Sequence, residues 1–159
     1  MDKTEQVKAE AEALLQKMIS NFEVTVEEDA GVYQVIIKAE EEAPTVIGRH
    51  GETIRAIQKI LEVVLYKSLQ EPLHILVNVN DYREKQRDRL QGIASETAEK
   101  VQSTKHATHL RGLSSYERKI VHEYVTSSYP ELTTYSVGEG RDRHLVIDMK
   151  GNENAQSEE

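Results

Sequence analysis

Val46-Ile47-Gly48-Arg49-His50-Gly51-Glu52-Thr53-Ile54 decides how this chain is read: an apolar pair, a G-x-x-G turn, and the start of a long helix with apolar residues at helical spacing. A glycine at each end of the turn opens main-chain conformations closed to other residues and lets a sugar-phosphate approach with no Cβ in the way. The helix that follows presents its unbonded N–H groups and its dipole to an anion. Arg49 and His50, between the glycines, are expected to project into solvent, where Arg49 can pair with a phosphate. An isolated G-x-x-G is more often a plain surface turn, so the flanking sequence has to separate the two readings.

Working outward, the helix extends from Glu52 to Leu69, with Ile54, Ile57, Leu61, Val64 and Leu65 expected to face a core. Upstream, Pro44 allows a short helical turn leading into Gly48. Residues 3–20 read as an amphipathic helix through Val7, Ala11, Leu14, Leu15 and Met18. Phe22, Val24 and Val26 alternate as in a strand, and Glu28-Asp29-Ala30-Gly31 supplies a turn before the returning strand from Val32 to Lys38. Leu73, Ile75, Val77 and Val79 form a third strand. The order is α-β-β-α-α-β.

A second pattern lies downstream. Arg118-Lys119-Ile120-Val121-His122 places Arg118 and His122 four residues apart, hence on one face of a helix. Ser114 and Glu117 read as the capping box that starts this helix, which ends by Pro130. Before it, Asp81 caps a helix running to about Gln102 through Leu90, Ile93, Ala94 and Val101, and Thr108 to Leu110 reads as a short strand. After it, Thr133 to Val137 and His144 to Met149 form a hairpin around Gly138-Glu139-Gly140. The domain boundary is expected at Asn80-Asp81, giving domains of residues 1–80 and 81–150, and residues 151–159 read as a disordered acidic tail.

Composition narrows the function classes. With 38% apolar and 30% charged residues, the 159-residue chain suits one ordinary or two small soluble domains. It has no long apolar run to cross a membrane, its polar first residues do not read as a secretory signal, and the lack of cysteine excludes disulfides and thiolate chemistry. These features lean towards a cytoplasmic protein. The net charge of −8 argues against generic cationic coating of nucleic acid. Its distribution is uneven: residues 1–42 carry −7, 43–80 carry +1, 81–127 carry +2 and 128–159 carry −4. The two motif-bearing segments are thus the non-negative ones. Arg83, Lys85, Arg87 and Arg89 add to the third segment, although Asp81, Glu84 and Asp88 among them also fit a self-neutralised helix.

Several catalytic patterns fail. His74, His106, His109 and His144 have no partners at zinc-like spacing, and His122-Glu123 is not followed by the second histidine of a metalloprotease. Gly138-Glu139-Gly140 lacks the third glycine of a dinucleotide fingerprint, no phosphate-binding P-loop is present, and the stacking aromatics of an RRM are missing. No cofactor, metal or catalytic set is expected, and the protein is read as not an enzyme.

The G-x-x-G turn within α-β-β-α-α-β, followed by Leu113-Ser114-Ser115-Tyr116-Glu117-Arg118 through His122, Ser136-Val137-Gly138-Glu139 and Arg143-His144-Leu145-Val146-Ile147, resembles the Jag (KhpB) family. Those proteins join a KH domain to a small Arg-x-x-x-His (R-three-H) domain, and the resemblance runs from the first strand to about Met149. It implies an α+β chain, a type II-like KH domain followed by a small α/β domain. It also implies binding of single-stranded RNA, or single-stranded DNA, by a cytoplasmic RNA chaperone or post-transcriptional regulator. Gly48, Arg49, His50 and Gly51 would clamp about four nucleotides, with Val46, Ile47 and Ile54 in the adjacent groove and Arg118, His122 and Arg143 adding contacts. A small single-KH protein (KhpA-like) is the implied partner, and in some bacteria the family is linked to cell-wall synthesis and cell shape. Family members often carry a further N-terminal Jag domain and a basic linker, for which these residues hold no counterpart. Glu40-Glu41-Glu42 beside the loop should weaken affinity. Two rival readings remain: a protein-interaction adaptor, favoured by the net −8, and a small hydrolase using His122 and Glu123, disfavoured by the lack of a nucleophile.

Overall fold

The computed structural model describes residues 1–152, which form two compact units divided between Arg83 and Glu84. The first unit contains α1 (Lys3–Leu15), β1 (Glu23–Asp29), β2 (Val32–Lys38), α2 (Ala43–Ile47), a 3-10 turn (Arg49–Gly51), α3 (Glu52–Leu69) and β3 (His74–Val79). Helix α4 (Tyr82–Thr104) begins in the first unit and leads into the second, which adds β4 (Thr108–Leu110), α5 (Ser115–Ser128), β5 (Leu132–Val137), a 3-10 turn (Gly140–Asp142) and β6 (His144–Met149). The tail expected to be disordered lies outside the described residues from position 153.

In the first unit, β1 and β2 pair antiparallel through Asp29↔Val32, closed by Ala30-Gly31, and the Gly31 amide donates to Glu28 Oε1 at 2.9 Å. Strand β3 pairs parallel with β2, Val35 opposite Val77, giving the order β1-β2-β3. Alternation sends Val35, Ile37, Ile75, Val77 and Val79 to one face, where they meet Ile54, Ile57, Leu61 and Leu65 of α3 and Val7, Ala11 and Leu15 of α1. Asn80 closes the far end of this sheet. Its N–H donates to Ile37 O at 2.8 Å, while its side-chain amide both accepts from Ala39 N and donates to Ala39 O, at 3.1 and 2.9 Å.

Two details depart from the sequence reading. Helix α1 stops at Leu15 rather than near Ser20: the Lys17 and Met18 amides switch to three-residue bonds onto Leu14 and Leu15, and this turn drops Ile19 into the core. Val64, expected inside, is 37% exposed, because Leu61 and Leu65 already fill the inward stripe of α3. With Ile60, Val63 and Tyr66 also exposed, α3 is apolar on both sides.

In the second unit β6 is central, flanked antiparallel by β4 and β5. Leu145 and Ile147 pack with Leu132, with Leu90, Ala94, Ala98 and Val101 of α4, and with Val121 and Val125 of α5. Ile93, expected in this core, is half-buried. Helix α5 begins with the capping box read from sequence: Ser114 Oγ accepts from the Glu117 amide and the Glu117 side chain accepts from Ser114 N.

The two faces of α3 are separable by mutation. Leu61→Ala is expected to cost about 3 kcal/mol, because it opens a cavity in a filled core. Ile60→Ala is expected to stay within about 1 kcal/mol, since nothing in the unit closes over it. Urea denaturation followed by circular dichroism measures both.

Candidate nucleic-acid interface

The loop between α2 and α3 is built around its glycines. Gly48 has φ 72°, and a Cβ there would stand 2.2 Å from Thr53 Oγ1, so no larger residue fits beside the first turn of α3. Gly51 has φ 74°, and its Cβ would approach the Tyr82 ring at 3.1 Å. The loop is thus pressed between Thr53 on one side and Tyr82, the first residue of α4, on the other. His50 is itself left-handed, at φ 54° and ψ 25°, and its carbonyl accepts from Arg55 Nη1 at 2.9 Å.

Of the two residues expected in solvent, Arg49 is exposed, whereas His50 is half-buried. Arg49 is therefore the cation the loop presents, while Arg55 on the first turn of α3 is turned back onto the loop's His50 carbonyl. The three residues expected to line the groove divide differently. Val46 and Ile54 are 0% and 2% exposed and belong to the core, so they lie under the surface rather than on it, and Ile47 alone is partly accessible. In the acidic run, Glu42 is occupied: its Oε2 accepts from the Ser20 and Asn21 amides at 2.8 and 3.1 Å.

In the second unit, Arg118 and His122 share a face of α5. Arg118 Nη1 donates to Leu113 O at 2.9 Å, which pins the guanidinium near the start of the helix. The exposed His122 ring bonds through Nδ1 to Thr134 Oγ1 on β5, leaving Nε2 as its outward edge. Arg143 is exposed at the end of the β5–β6 hairpin and donates through Nη1 to Gly138 O at 3.1 Å. The strand register puts it one residue beyond the Val137↔His144 pair, hence four steps, or about 13 Å, along the strand from Thr134.

What sets α5 in place is Glu117, which is 0% exposed. Its Oε1 accepts from Gln86 Nε2 at 2.6 Å and from Arg89 Nη2 at 3.2 Å, while Oε2 takes the Ser114 amide at 2.8 Å. Sequence revealed the cap but not the two partners on α4, which lie 31 and 28 residues away. Of the four basic residues at the start of α4, Arg89 is held by Glu117 and Arg83 by the first unit's strand β3. Arg87 lines a shallow groove with Tyr116, Lys119 and Tyr124. His109 and His144, unassigned from sequence, bond to each other at 2.7 Å, and His144 Nδ1 meets Asp142 O at 2.7 Å. His144 is thus engaged at both ring nitrogens, a clasp between β4 and the start of β6.

Among the described residues, no group of three metal-ligating side chains converges and no helix is long and apolar enough to cross a membrane. The fold and the loop define a KH module followed by a second α/β module with an Arg-x-x-x-His helix. Comparison with known families agrees: the profile of the KhpA/KhpB KH domain matches residues 5–77, and that of the R-three-H domain matches residues 88–148. RNA-binding protein KhpB of Bacillus subtilis is 30% identical over 151 residues, covering 94% of this chain and 72% of that protein. The protein of the same name from Streptococcus pneumoniae is 30% identical over 149 residues, 92% of this chain and 45% of its own length. That from Lactiplantibacillus plantarum is 34% identical over 101 residues, 64% of this chain and 30% of the relative. The chain belongs to the KhpB family, and it spans less than half the length of the latter two relatives.

Removing the Glu117 carboxylate should loosen the helix that carries Arg118 and His122. Glu117→Ala is expected to lower the stability of the second unit by about 3 kcal/mol, mostly through the orphaned Gln86 amide and Ser114 N–H. Arg89, 55% exposed, contributes little. Glu117→Gln keeps an acceptor and should cost less. Hydrogen exchange at the α5 amides reads both.

Proposed function

We propose that this protein binds single-stranded RNA, with the Gly48–Gly51 loop clamping the backbone and the Arg118/His122 face, extended by Arg143, adding contacts from the second unit. The observation that carries this reading is the Gly48 geometry, a backbone position that excludes any side chain next to an exposed Arg49 at the head of α3. The relatives' shared name, RNA-binding protein, supports RNA over DNA as the ligand. The protein then works in the cytoplasm as an RNA chaperone or post-transcriptional regulator.

A double substitution in the loop tests the clamp. In the double variant Arg49→Asp, His50→Asp, like charges face the phosphates while the fold is kept, because aspartate tolerates the left-handed backbone of His50. Affinity for a short oligonucleotide, read by fluorescence anisotropy, is expected to fall by more than the roughly 1 kcal/mol of a surface ion pair. A folded variant that binds as well as wild type would rule the clamp out. As a second arm, Arg118→Ala with His122→Ala should weaken binding to a long strand much more than to one of about four nucleotides, which the KH loop holds alone.

The partner in this reading is a small single-KH protein of KhpA type. Its support is the outward stripe of α3, where Ile60, Val63 and Val64 stand exposed at helical spacing, on a domain whose matched family profile spans KhpA and KhpB. Ile60→Arg with Val63→Arg is expected to abolish pairing in analytical ultracentrifugation while leaving the affinity for a short RNA within about twofold. Pairing that survives both arginines would remove this surface from consideration.

A further inference from the structure

In the second unit, α4 and α5 both pack on the sheet face that carries Leu132, Leu145 and Ile147. Alternation therefore turns the even-numbered residues of β6 to the other face. There the register sets His109 of β4 and Tyr135 of β5 on either side of Val146. Arg111, one residue past the Leu110↔Leu145 pair, comes level with His144, and its Nη1 lies 3.4 Å from His144 Nδ1. Val146 is 1% exposed, and the rings beside it are held in place. His109 Nδ1 bonds to His144 Nε2 at 2.7 Å, with the imidazole centroids 4.9 Å apart, and the Tyr135 hydroxyl donates to Asp148 Oδ2 at 3.4 Å. Asp148 is itself 1% exposed, and its Oδ1 accepts from Met149 N and Asn152 Nδ2, so the carboxylate is hydrogen-bonded beneath the surface.

What this face offers is aromatic and cationic. His109 is exposed and Tyr135 half-buried, so both rings reach the surface, two strand spacings or about 10 Å apart. Arg111 is exposed at the rim, and the stretch from Lys105 to Arg111 holds two cations, two histidines and no carboxylate. Glu139 and Asp142 balance Arg141 and Arg143 in the adjoining hairpin, so the positive excess comes from the β4 side. Among the described residues, none of the exposed large hydrophobic side chains lies on this face, which therefore lacks the apolar patch that docks a protein. Rings already fixed by hydrogen bonds suit nucleobases instead, since every base has a π-face and little freedom is left for the rings to lose.

We propose that the outer face of the second sheet is a base-stacking platform for single-stranded RNA, with His109 and Tyr135 each taking one base and Arg111 a phosphate. It is a different surface from the Arg118/His122 face, because His122 is anchored through Thr134, whose side chain points to the helix-covered side of β5. No spacing in the sequence announces the set: its members come from β4 and β5 and are brought level only by their common register with β6. The assignment rests on the RNA-binding reading above and adds to it a second surface, one that only a strand longer than the loop's four nucleotides would use.

The test follows the ring protons of His109 and Tyr135 by NMR while dodecaadenylate is added to the full chain, with affinities read by fluorescence anisotropy. Both sets of ring signals are expected to move upfield as adenines stack over them. His109→Ala with Tyr135→Leu should weaken dodecaadenylate binding about tenfold or more, and binding of tetraadenylate, which the loop holds alone, by less than about twofold. Tyr135→Phe gives up the Asp148 bond but keeps the ring, so it should bind dodecaadenylate within about twofold of wild type. Ring signals that stay in place while dodecaadenylate binds overturn the platform and leave the loop clamp standing, as does unchanged affinity in the folded double variant. Should that variant fail to fold, the wild-type ring signals decide alone. Binding of neither oligonucleotide by wild type overturns both.

Discussion

Parallel strands cannot be joined by a tight turn, and the first unit follows from that constraint. Once β2 and β3 lie side by side in the same direction, the chain between them must travel back along the sheet, and α2, the glycine loop and α3 are that return path. The loop sits where one helix ends and the next begins, so its geometry is set by the packing of both. Gly48 is forced by Thr53 of α3, and Gly51 is pressed by Tyr82. The same crossover lays α3 alongside the β3 edge, close enough for Gln58 to reach Val77. Glycine loop and edge surface are two products of one topological requirement.

The second unit solves a different problem. Its sheet is antiparallel and could form from local hairpins, yet the helix bearing Arg118 and His122 is not part of any hairpin. Its orientation depends on a buried carboxylate, Glu117, accepting from its own cap and from two side chains of α4. A buried charge is tolerated only when its lone pairs are filled, so the arrangement is all or none in character. That suits a helix whose outward residues have to stand in fixed positions.

Much of this was legible in the sequence because it depends on spacing. The α-β-β-α-α-β order, the G-x-x-G turn, the capping box at Ser114 and the Arg118/His122 face are all periodic or local features. What escaped depends on contacts distant in sequence or on too rich an apolar supply. Val64 and Leu65 are adjacent and both apolar, and periodicity could not decide which of them α3 would bury, since Ile60 and Val63 widen the stripe. Val46 and Ile54 read as groove residues because they flank the loop, but flanking a turn does not separate a residue on the surface from one beneath it. His50 was expected to behave like Arg49; its left-handed backbone draws it into the half-buried position that Arg49 avoids. Gln58 and Arg83 are 25 residues apart and bond to each other as well as to Val77, so no local pattern announces them.

The first two residues of helix α4, Tyr82 and Arg83, belong to the first unit, and this bears on how the modules could be taken apart. An excision at the natural-looking end of β3 would leave a fragment with every element of a KH domain but without Tyr82 against Gly51 or Arg83 on Val77. Its loop would lose one of its two walls, and the outward carbonyl of Val77 at the sheet edge would be left without its partner. Gene fusion, splitting or transplantation of this module therefore has a hidden reading frame: the portable piece is the KH domain together with the first turn of the helix that follows it.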